Sequence, residues 1–153
     1  MNLDDLPRHV AAAGVLITST SGQTLLVSNP YRDGLVLPGG LIEQDEPPAA
    51  AAEREVLEEV GLRVAVTRLL VVQHKTVEAA KPSSLQFVFD SDVVEDGVAL
   101  RLQAEEINAA YWLDADTAVR RHTPGGQRRM SAAFAARAEG RTIYMDADRT
   151  IAS

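Results

Sequence analysis

The sequence predicts an α/β fold of the α+β sandwich type, in which a mixed β-sheet is packed between helices. Three observations predict it: short apolar and β-branched segments separated by turns, a helix with well-defined ends in the first half of the chain, and a longer helix near its end. The 153 residues are enough for a core of its own, so a single domain over residues 1–153 is expected.

The first part of the chain is predicted to form strands and turns. Residues 9–18 are apolar and become β-branched towards their end, residues 19–22 favour a turn, and residues 24–27 form a second apolar run. Together they predict a β-hairpin. A short apolar run at 35–37 stops at Pro38-Gly39-Gly40, so a third short strand is expected to end where the glycines begin.

The clearest helix is predicted between Pro47-Pro48 and Gly61. Prolines suit a first helical turn, where a missing N–H costs nothing, and glycine suits the position just past a helix end. The four alanines at 49–52 are strong helix formers. Apolar residues recur at helical spacing and predict a buried face made of Ala49, Ala52, Val56, Leu57 and Val60.

The rest of the chain is predicted to add strands and two helices. Strands are expected at 62–67, 69–74, 85–89, near 99–102 and near 111–113, and as an edge strand at 142–145 in the C-terminal extension 141–153. A surface loop is expected at 75–84. Asp114 is the expected cap of a short helix that reaches residue 120, and Thr123-Pro124 begins a longer helix that ends at Gly140.

Composition and charge exclude several classes of site and partner. The absence of cysteine rules out disulfides, thiolate metal sites and a cysteine nucleophile, and it is compatible with a reducing cytoplasm, the expected location. The N-terminus has no signal-peptide pattern and no apolar run approaches about 18 residues, so no membrane partner is expected. The net charge of −7 makes nucleic acid an improbable partner. A phosphate ester would need a divalent cation to screen the repulsion.

Residues 39–62 concentrate the groups that could hold such a cation. Gly39 and Gly40 follow a predicted strand, so the backbone can approach a ligand closely there. Glu55, Glu58 and Glu59 are spaced i, i+3 and i+4 on one helix face, where like charges repel by a few tenths of a kcal/mol per pair. They are either a solvated helix face or the ligands of a cation. Hard carboxylate oxygens suit Mg²⁺ or Mn²⁺ rather than zinc.

The wider spacing decides between these two readings. Gly40 is followed after five residues by Glu46, and after seven more by Arg54-Glu55, Val56, Glu58-Glu59, Gly61 and Leu62. Seven fixed residues would coincide by chance with a probability on the order of 10⁻⁸ per start position. The segment resembles the signature box of the Nudix hydrolases. A weaker similarity covers residues 9–140, including the segment 37–40 before the box and Glu106 with Trp112 after it.

The resemblance implies the Nudix fold and roles for the box residues. Glu55, Glu58 and Glu59 are expected to be metal ligands or catalytic carboxylates for Mg²⁺, with Mn²⁺ as a substitute, and the carbonyl of Gly39 to complete the metal shell. The resemblance further implies that Arg54 orients Glu55 and that Glu46 braces the loop on the helix, while Gly40 and Gly61 are structural.

The resemblance leaves the general base open. Members of the family use either a box glutamate or an acid from a distant loop. Here the candidates are Glu55 and Glu59 in the box, and Glu106 or its neighbour Glu105 outside it. A box glutamate is the preferred expectation.

Five further residues are candidate substrate contacts. Many family members have a tryptophan where this chain has Leu35, which puts base stacking at that position in doubt. Tyr31 and Arg32 could meet a phosphate or a base, or belong to a solvated loop. His74 could touch substrate, although a surface or sheet-face position is favoured, and Trp112 could stack a base, although a core position is favoured.

The remaining histidines and some arginine and apolar residues near the last helix are predicted to have structural rather than functional roles. His9 and His122 are expected at the surface, as are Arg128 and Arg129 near a helix start. Met130 and Phe134 are read as core.

The predicted function is Mg²⁺-dependent hydrolysis of a phosphoanhydride in a nucleoside diphosphate linked to another group, which releases a nucleoside monophosphate. Nucleoside triphosphates, nucleotide sugars, ADP-ribose and dinucleoside polyphosphates are the candidate substrates, and the compact chain favours a triphosphate or a small nucleotide sugar. The alternative is a catalytically silent, nucleotide-sensing Nudix module. Isoprenoid diphosphate isomerisation is excluded because it requires an active-site cysteine. Homodimers are common in the family, so a homodimer is a possible assembly.

Overall fold

The computed structural model describes residues 1–76 and 82–153. Its strands are β1 (Val10–Leu16), β2 (Thr24–Ser28), β3 (Gly39–Leu41), β4 (Val66–Lys75), β5 (Ser84–Ser91), β6 (Ala109–Leu113), β7 (Ile143–Met145) and β8 (Thr150–Ala152). Its helices are α1 (Pro48–Val60), α2 (Ala115–Arg121) and α3 (Gln127–Glu139), with short 3-10 helices at Leu3–Asp5 and Pro124–Gly126. Within the described residues, no helix is both long enough and apolar enough to cross a bilayer.

Six strands form one mixed sheet in the order β3-β1-β5-β4-β7-β8. The pairs β1–β5 and β4–β7 are parallel, and the other three neighbouring pairs are antiparallel. The strands β2 and β6 pair antiparallel in a separate two-stranded sheet. Mixed strands packed with helices confirm the predicted fold class.

The main sheet buries a different apolar cluster on each face. Along and just beyond β1, Ala13, Val15 and Ile17 join a cluster with residues of α1, whereas Leu16 joins a cluster with residues of α3. This division follows from the alternation of side chains along a strand. The helices α1 and α3 therefore cover opposite faces of the sheet.

The predicted hairpin at residues 9–27 is only partly correct. Beside its turn, the Ser19 N–H donates to the Gln23 carbonyl (2.9 Å) and the Leu25 N–H donates to the Ile17 carbonyl (3.1 Å). Beyond the turn the strands separate, because β2 pairs with β6 while β1 pairs with β3 and β5. The pattern indicated adjacent strands but could not indicate which partners compete for their edges.

The expectation of a strand that ends before the glycines was wrong. Residues 35–37 contribute only isolated bridges, one of them between Val27 and Val36, whose backbones exchange hydrogen bonds of 2.9 Å. The strand β3 instead begins at Gly39 and pairs with β1. Small residues face each other there, since Gly39 pairs with Gly14 and Gly40 pairs with Ala13.

The strands predicted at 62–67 and 69–74 form one strand, β4, that begins only at Val66. Its pairing with β5 shifts register between Val66 and Arg68 and again between Leu69 and Val71. The second irregularity interrupts the alternation of side chains, so that the consecutive residues Leu70 and Val71 are both fully buried in the same cluster.

No strand forms near residues 99–102, where one was predicted. The Arg101 N–H donates to the Val60 carbonyl (2.9 Å), and the Gln103 N–H donates to the Glu59 carbonyl (3.0 Å). The last turn of a helix leaves carbonyl groups without a helical partner. The segment therefore satisfies the end of α1 instead of joining a sheet.

The ends of α1 agree with the prediction, but its buried face does not. Pro48 is its first residue, and Gly61 ends it in the left-handed region at φ +74°, with its N–H bonded to the Leu57 carbonyl (3.1 Å). Ala49 and Leu57 are only partly buried. The fully buried positions are Ala51, Ala52, Val56, Glu59 and Val60, so the helix turns one glutamate towards the sheet.

The C-terminal elements follow the prediction with small shifts. Asp114 caps α2 by accepting a hydrogen bond from the Thr117 N–H (2.9 Å). The longer helix begins as a 3-10 turn, and α3 ends at Gly140. The strand β7 was expected at the sheet edge, but β8 lies outside it. Of the loop predicted at 75–84, Lys75 is the last residue of β4 and Ser84 is the first residue of β5. Residues 77–81 of that predicted loop lie outside the described residues.

Candidate functional site

The site begins where the backbone of β3 lies against β1. A methyl group added to Gly39 would overlap the Ala13 carbonyl, and one added to Gly40 would lie 2.6 Å from the carboxyl carbon of Glu55. Gly39 therefore needs glycine for the close approach of two strands, whereas at Gly40 a methyl group would displace the carboxyl end of Glu55. The sequence-based reading of these glycines as points of close approach is consistent with this geometry.

Glu59 is the buried glutamate of α1. Its side chain faces β3, where Oε2 accepts a hydrogen bond from the Gly39 N–H (3.0 Å). Burial raises the pKa of Glu59 to about 8, the Gly39 N–H opposes the rise, and the charges of Glu55, Glu106 and Glu58 add to it. The Glu59 carboxyl group is thus held in place by the Gly39 N–H, with no basic side chain within 4.0 Å of it among the described residues.

Arg54 ties the other box carboxylates together. Its Nε and Nη2 donate to the two carboxylate oxygens of Glu46 (2.7 and 3.0 Å), and its Nη1 donates to Glu55 Oε1 (3.0 Å) and Glu58 Oε2 (3.1 Å). Nη2 also donates to the Leu41 carbonyl (3.1 Å). One guanidinium therefore fixes β3, the loop after it and two glutamates of α1 relative to one another.

The charges of Glu46 and Glu55 respond differently to this arrangement. The hydrogen bonds from Arg54 lower the pKa of Glu46 to about 2, and the Glu43 N–H, bonded to Oε2 at 3.0 Å, adds to that effect. Burial raises the pKa of Glu55 although Arg54 opposes it. Glu46 therefore holds its loop as a permanent anion, whereas Glu55 is a basic carboxylate.

Glu106 lies in the turn before β6, close enough for its charge to act on the box. Its turn is closed by the Glu106 N–H and the Ile107 N–H, which both donate to the Gln103 carbonyl (3.0 and 2.8 Å). The charge of Glu106 contributes to the raised pKa of Glu55 and of Glu59. The loop acid predicted from the sequence is thus a neighbour of the box carboxylates, and its side chain is exposed to solvent.

The donor set fits a divalent cation of the magnesium type. Among residues 1–76 and 82–153, no three histidine, aspartate or glutamate side chains surround a common point. Glu55 and Glu58 each accept a hydrogen bond from Arg54 Nη1 with one carboxylate oxygen, and Glu58 is half exposed. The available ligands are hard carboxylate oxygens and the backbone of Gly39, and the buried Glu59 has no cation within 4.0 Å in the described part of the chain.

A cavity of about 110 Å³ opens beside these groups. Gly39, Gly40 and Glu59 line part of it. Arg32, His122 and Arg129 line it as well, so that acidic and basic side chains meet in one cavity. The rest of the lining is small or apolar and comes from β1, β5 and the segment before β3.

The predicted substrate contacts are distributed unevenly. Arg32 lines the cavity, whereas Leu35 is 5% exposed and packs in the cluster beneath α3. Tyr31 is 78% exposed. His74 makes an edge-on ring contact with His9 at 6.0 Å, and Trp112 packs against the cluster beneath α1. Of these five residues, the structure brings only Arg32 into the cavity formed by described residues.

Two residues that the sequence placed at the surface are in the site. His122 is 4% exposed, and Arg129 donates a 2.7 Å hydrogen bond to Gln73 Oε1. Arg129 precedes the buried Ala133 and Ala136 by four and seven residues, so helical spacing could have placed it on the inner face. For His122, which follows the last residue of α2, the local sequence offers no comparable signal.

Comparison with known proteins tests the resemblance of the box on the whole chain. The model of the NUDIX domain matches residues 7–134, far beyond the box. The chain belongs to the NUDIX domain family. A MutT-like protein of Streptomyces ambofaciens is 39% identical over 71 residues, which make up 46% of this NUDIX chain and 46% of that protein.

A second relative of this NUDIX chain is the human diphosphoinositol polyphosphate phosphohydrolase NUDT4B, 33% identical over 75 residues, or 48% of this chain and 41% of that one. The chain spans less than half of the length of these curated relatives. The crystal structure of the MutT protein from Methanosarcina mazei Go1 superposes with a TM-score of 0.69 at 21% identity and covers 88% of this chain and 96% of that chain. The two proteins share a fold.

Proposed function

We propose that this NUDIX chain is a Mg²⁺-dependent pyrophosphohydrolase. Its substrate is a nucleoside diphosphate linked to another group, and it releases a nucleoside monophosphate by cleaving the phosphoanhydride. The observation that carries the proposal is that the buried Glu59 and the partly buried Glu55 are held against the Gly39–Gly40 backbone, with Glu59 lining a cavity. The family match over residues 7–134 supports it independently.

The chain offers ligands that suit Mg²⁺ or Mn²⁺. Glu55, Glu58, Glu59 and the Gly39 carbonyl would hold the ion, with Arg54 releasing Glu58, whose exposed bond to it is weak. When bound, the ion neutralises phosphate charge and activates water. The repulsion between a phosphate substrate and a chain of net charge −7 makes this neutralisation necessary.

The protein's own contribution is positioning and proton transfer. Glu55 Oε1 accepts the Arg54 hydrogen bond, which leaves the remaining lone pairs of the carboxylate to contact the ion and to take a proton from the attacking water. The raised pKa of Glu55 suits a general base. The Gly39 N–H holds Glu59 at the β3 edge, where a bound cation would favour its anionic form over the protonated form that burial favours. Anhydride cleavage depends mainly on position and charge, so no protein nucleophile is needed.

A hydrolysis screen tests the proposal. Purified protein is incubated with nucleoside triphosphates, nucleotide sugars, ADP-ribose and dinucleoside polyphosphates, with Mg²⁺, with Mn²⁺ or with EDTA. We expect metal-dependent release of a nucleoside monophosphate from at least one of them. Metal-independent nucleotide binding without turnover of any substrate would instead favour a nucleotide-sensing module.

The choice of general base needs its own comparison. We expect Glu55→Gln to lower kcat by about 10²- to 10⁴-fold at saturating Mg²⁺. The matched variants are Glu59→Gln in the same helix and Glu106→Gln in the loop beside it. If only Glu106→Gln lost several orders of magnitude in kcat, the base would lie in the loop and the assignment to the box would be wrong.

A further inference from the structure

We propose that Arg32 and Arg129, which line the cavity, and the neighbouring Lys75 form a second, anion-binding site, which holds a terminal phosphate group of the substrate. The assignment deepens the proposed function, since it names a substrate class: nucleotides whose polyphosphate chain ends in a free terminal phosphate, such as nucleoside triphosphates. It rests on the proposed function only for its kinetic consequence, because anion binding itself requires no turnover.

The three basic side chains come from different parts of the chain. Arg32 lies in the loop after β2 and Arg129 in the first turn of α3, and both line the cavity that Glu59 lines. Lys75 is the last residue of β4, and its Nζ lies 3.1 Å from where a methyl group on Gly125 would be. The fold therefore gathers them, because no two are neighbours in sequence.

Within residues 1–76 and 82–153, the positive charge of the cluster is not compensated by a carboxylate. Among the described residues, no carboxylate oxygen lies within 4.0 Å of the charged nitrogens of these three side chains. Burial lowers the pKa of Lys75, and the charges of Arg129 and Arg32 lower it further. The pKa of Arg129 is also lowered, mainly by burial and in addition by the charge of Arg32. An anion between them would relieve this repulsion.

Arg129 is positioned to present donors to such an anion. Its Nη1 donates to Gln73 Oε1 at 2.7 Å, and Gln73 is 7% exposed. This is the only hydrogen bond that Arg129 donates to an acceptor in residues 1–76 and 82–153, although a guanidinium has five N–H donors. A planar, anchored guanidinium suits bidentate recognition of a phosphate.

The separate acidic and basic residues of the site would fix the orientation of a bound substrate. The box glutamates with their cation would hold the scissile anhydride, and the basic cluster would take the phosphate at the free end of the chain. A substrate whose polyphosphate chain ends in a free terminal phosphate fills both positions. A nucleotide sugar ends in a neutral group and leaves Arg32, Lys75 and Arg129 without an anion.

Pyrophosphate binding in EDTA tests the site apart from catalysis. Calorimetry on the intact chain compares wild type with Arg129→Gln and with Arg32→Gln. The side chain of Arg32 is exposed and is not needed for packing. Arg128→Gln is the matched control, because Arg128 is adjacent but bonds the Asp146 carbonyl and Thr150 Oγ1. We expect at least tenfold weaker binding in the first two variants and wild-type binding in the control.

Three results would overturn the proposal: no pyrophosphate binding by wild type, binding unchanged by both Arg129→Gln and Arg32→Gln, or an equal loss in Arg128→Gln. The kinetic arm compares KM for a nucleoside triphosphate and a nucleotide sugar. Arg32→Gln should raise the first at least tenfold more than the second. A further outcome is that the wild type hydrolyses no substrate while Arg129→Gln and Arg32→Gln still weaken its pyrophosphate binding as expected. In that case the proposed function would fail and the anion site would stand.

Discussion

Replacement of Glu59 by glutamine should stabilise the metal-free protein at alkaline pH. Glu59 is 7% exposed, accepts one hydrogen bond from the Gly39 N–H, and has its pKa raised to about 8 by burial and by neighbouring carboxylates. Glutamine has the same shape and still accepts that hydrogen bond through its carbonyl oxygen. The substitution therefore removes the cost of a buried charge and keeps the contact.

The size and direction of the effect follow from proton linkage. An unfolded glutamate has a pKa of about 4.5, so below that pH both states hold the proton and ionisation costs nothing. As the pH rises towards 8, the unfolded state loses its proton first, and stability falls until the folded pKa is passed. The full loss in the wild type is on the order of 4 kcal/mol, which corresponds to about 10 °C in Tm for a chain of this size.

Thermal unfolding followed by circular dichroism, in EDTA from pH 5 to pH 9, measures this difference. We expect Glu59→Gln to match the wild type near pH 5 and to exceed its Tm by about 10 °C near pH 8.5. Glu58→Gln is the control on the same helix, because Glu58 is half exposed and its bond to Arg54 is worth at most about 1 kcal/mol. A wild type whose Tm is as high at pH 8.5 as that of Glu59→Gln would refute the reasoning.

Three further perturbations are expected to act through the same site. Gly39→Ala should unfold at least about 5 °C below the wild type in calorimetry, because its methyl group would overlap the Ala13 carbonyl and force two backbones apart; an unchanged Tm would contradict the close approach. Arg54→Gln should lose its two bonds to Glu46 and unfold at a lower urea concentration than the wild type, a loss that Glu46→Gln should largely share; additive losses in the double variant would show that the two side chains act separately. EDTA should abolish nucleotide hydrolysis and excess Mg²⁺ should restore it, whereas hydrolysis that persists in EDTA would exclude a metal-dependent mechanism.

The helices were predictable where the sequence contains residues that favour the beginning or the end of a helix. Prolines and Gly61 delimit α1, and Asp114 caps α2, since caps and helix ends depend on nearby residues alone. The pairing of the strands was harder to predict from the sequence. The segment near 99–102 has a strand-like pattern but bonds the end of α1, which is decided by packing in three dimensions rather than by periodicity.

The acidic residues of the candidate site were predictable from the sequence, whereas of the basic residues that line its cavity only Arg32 was. The spacing from Gly40 to Leu62 identified the box glutamates, because they share one helix and one loop. Arg129 and His122 reach the cavity from the other end of the chain. No local pattern links them to Glu59, so their placement emerges only when the sheet brings α1 and the start of α3 to the same cavity.

Manganese binding measured by electron paramagnetic resonance is the most direct test of the claim that the box glutamates hold a divalent cation. The signal of free Mn²⁺ is titrated with wild type, with Glu55→Gln and with Glu43→Gln as an exposed acidic control outside the helix. We predict loss of the free signal in wild type and in Glu43→Gln, and at least tenfold weaker binding in Glu55→Gln. Mn²⁺ uptake that is absent from the wild type, or undiminished in Glu55→Gln, would contradict the account.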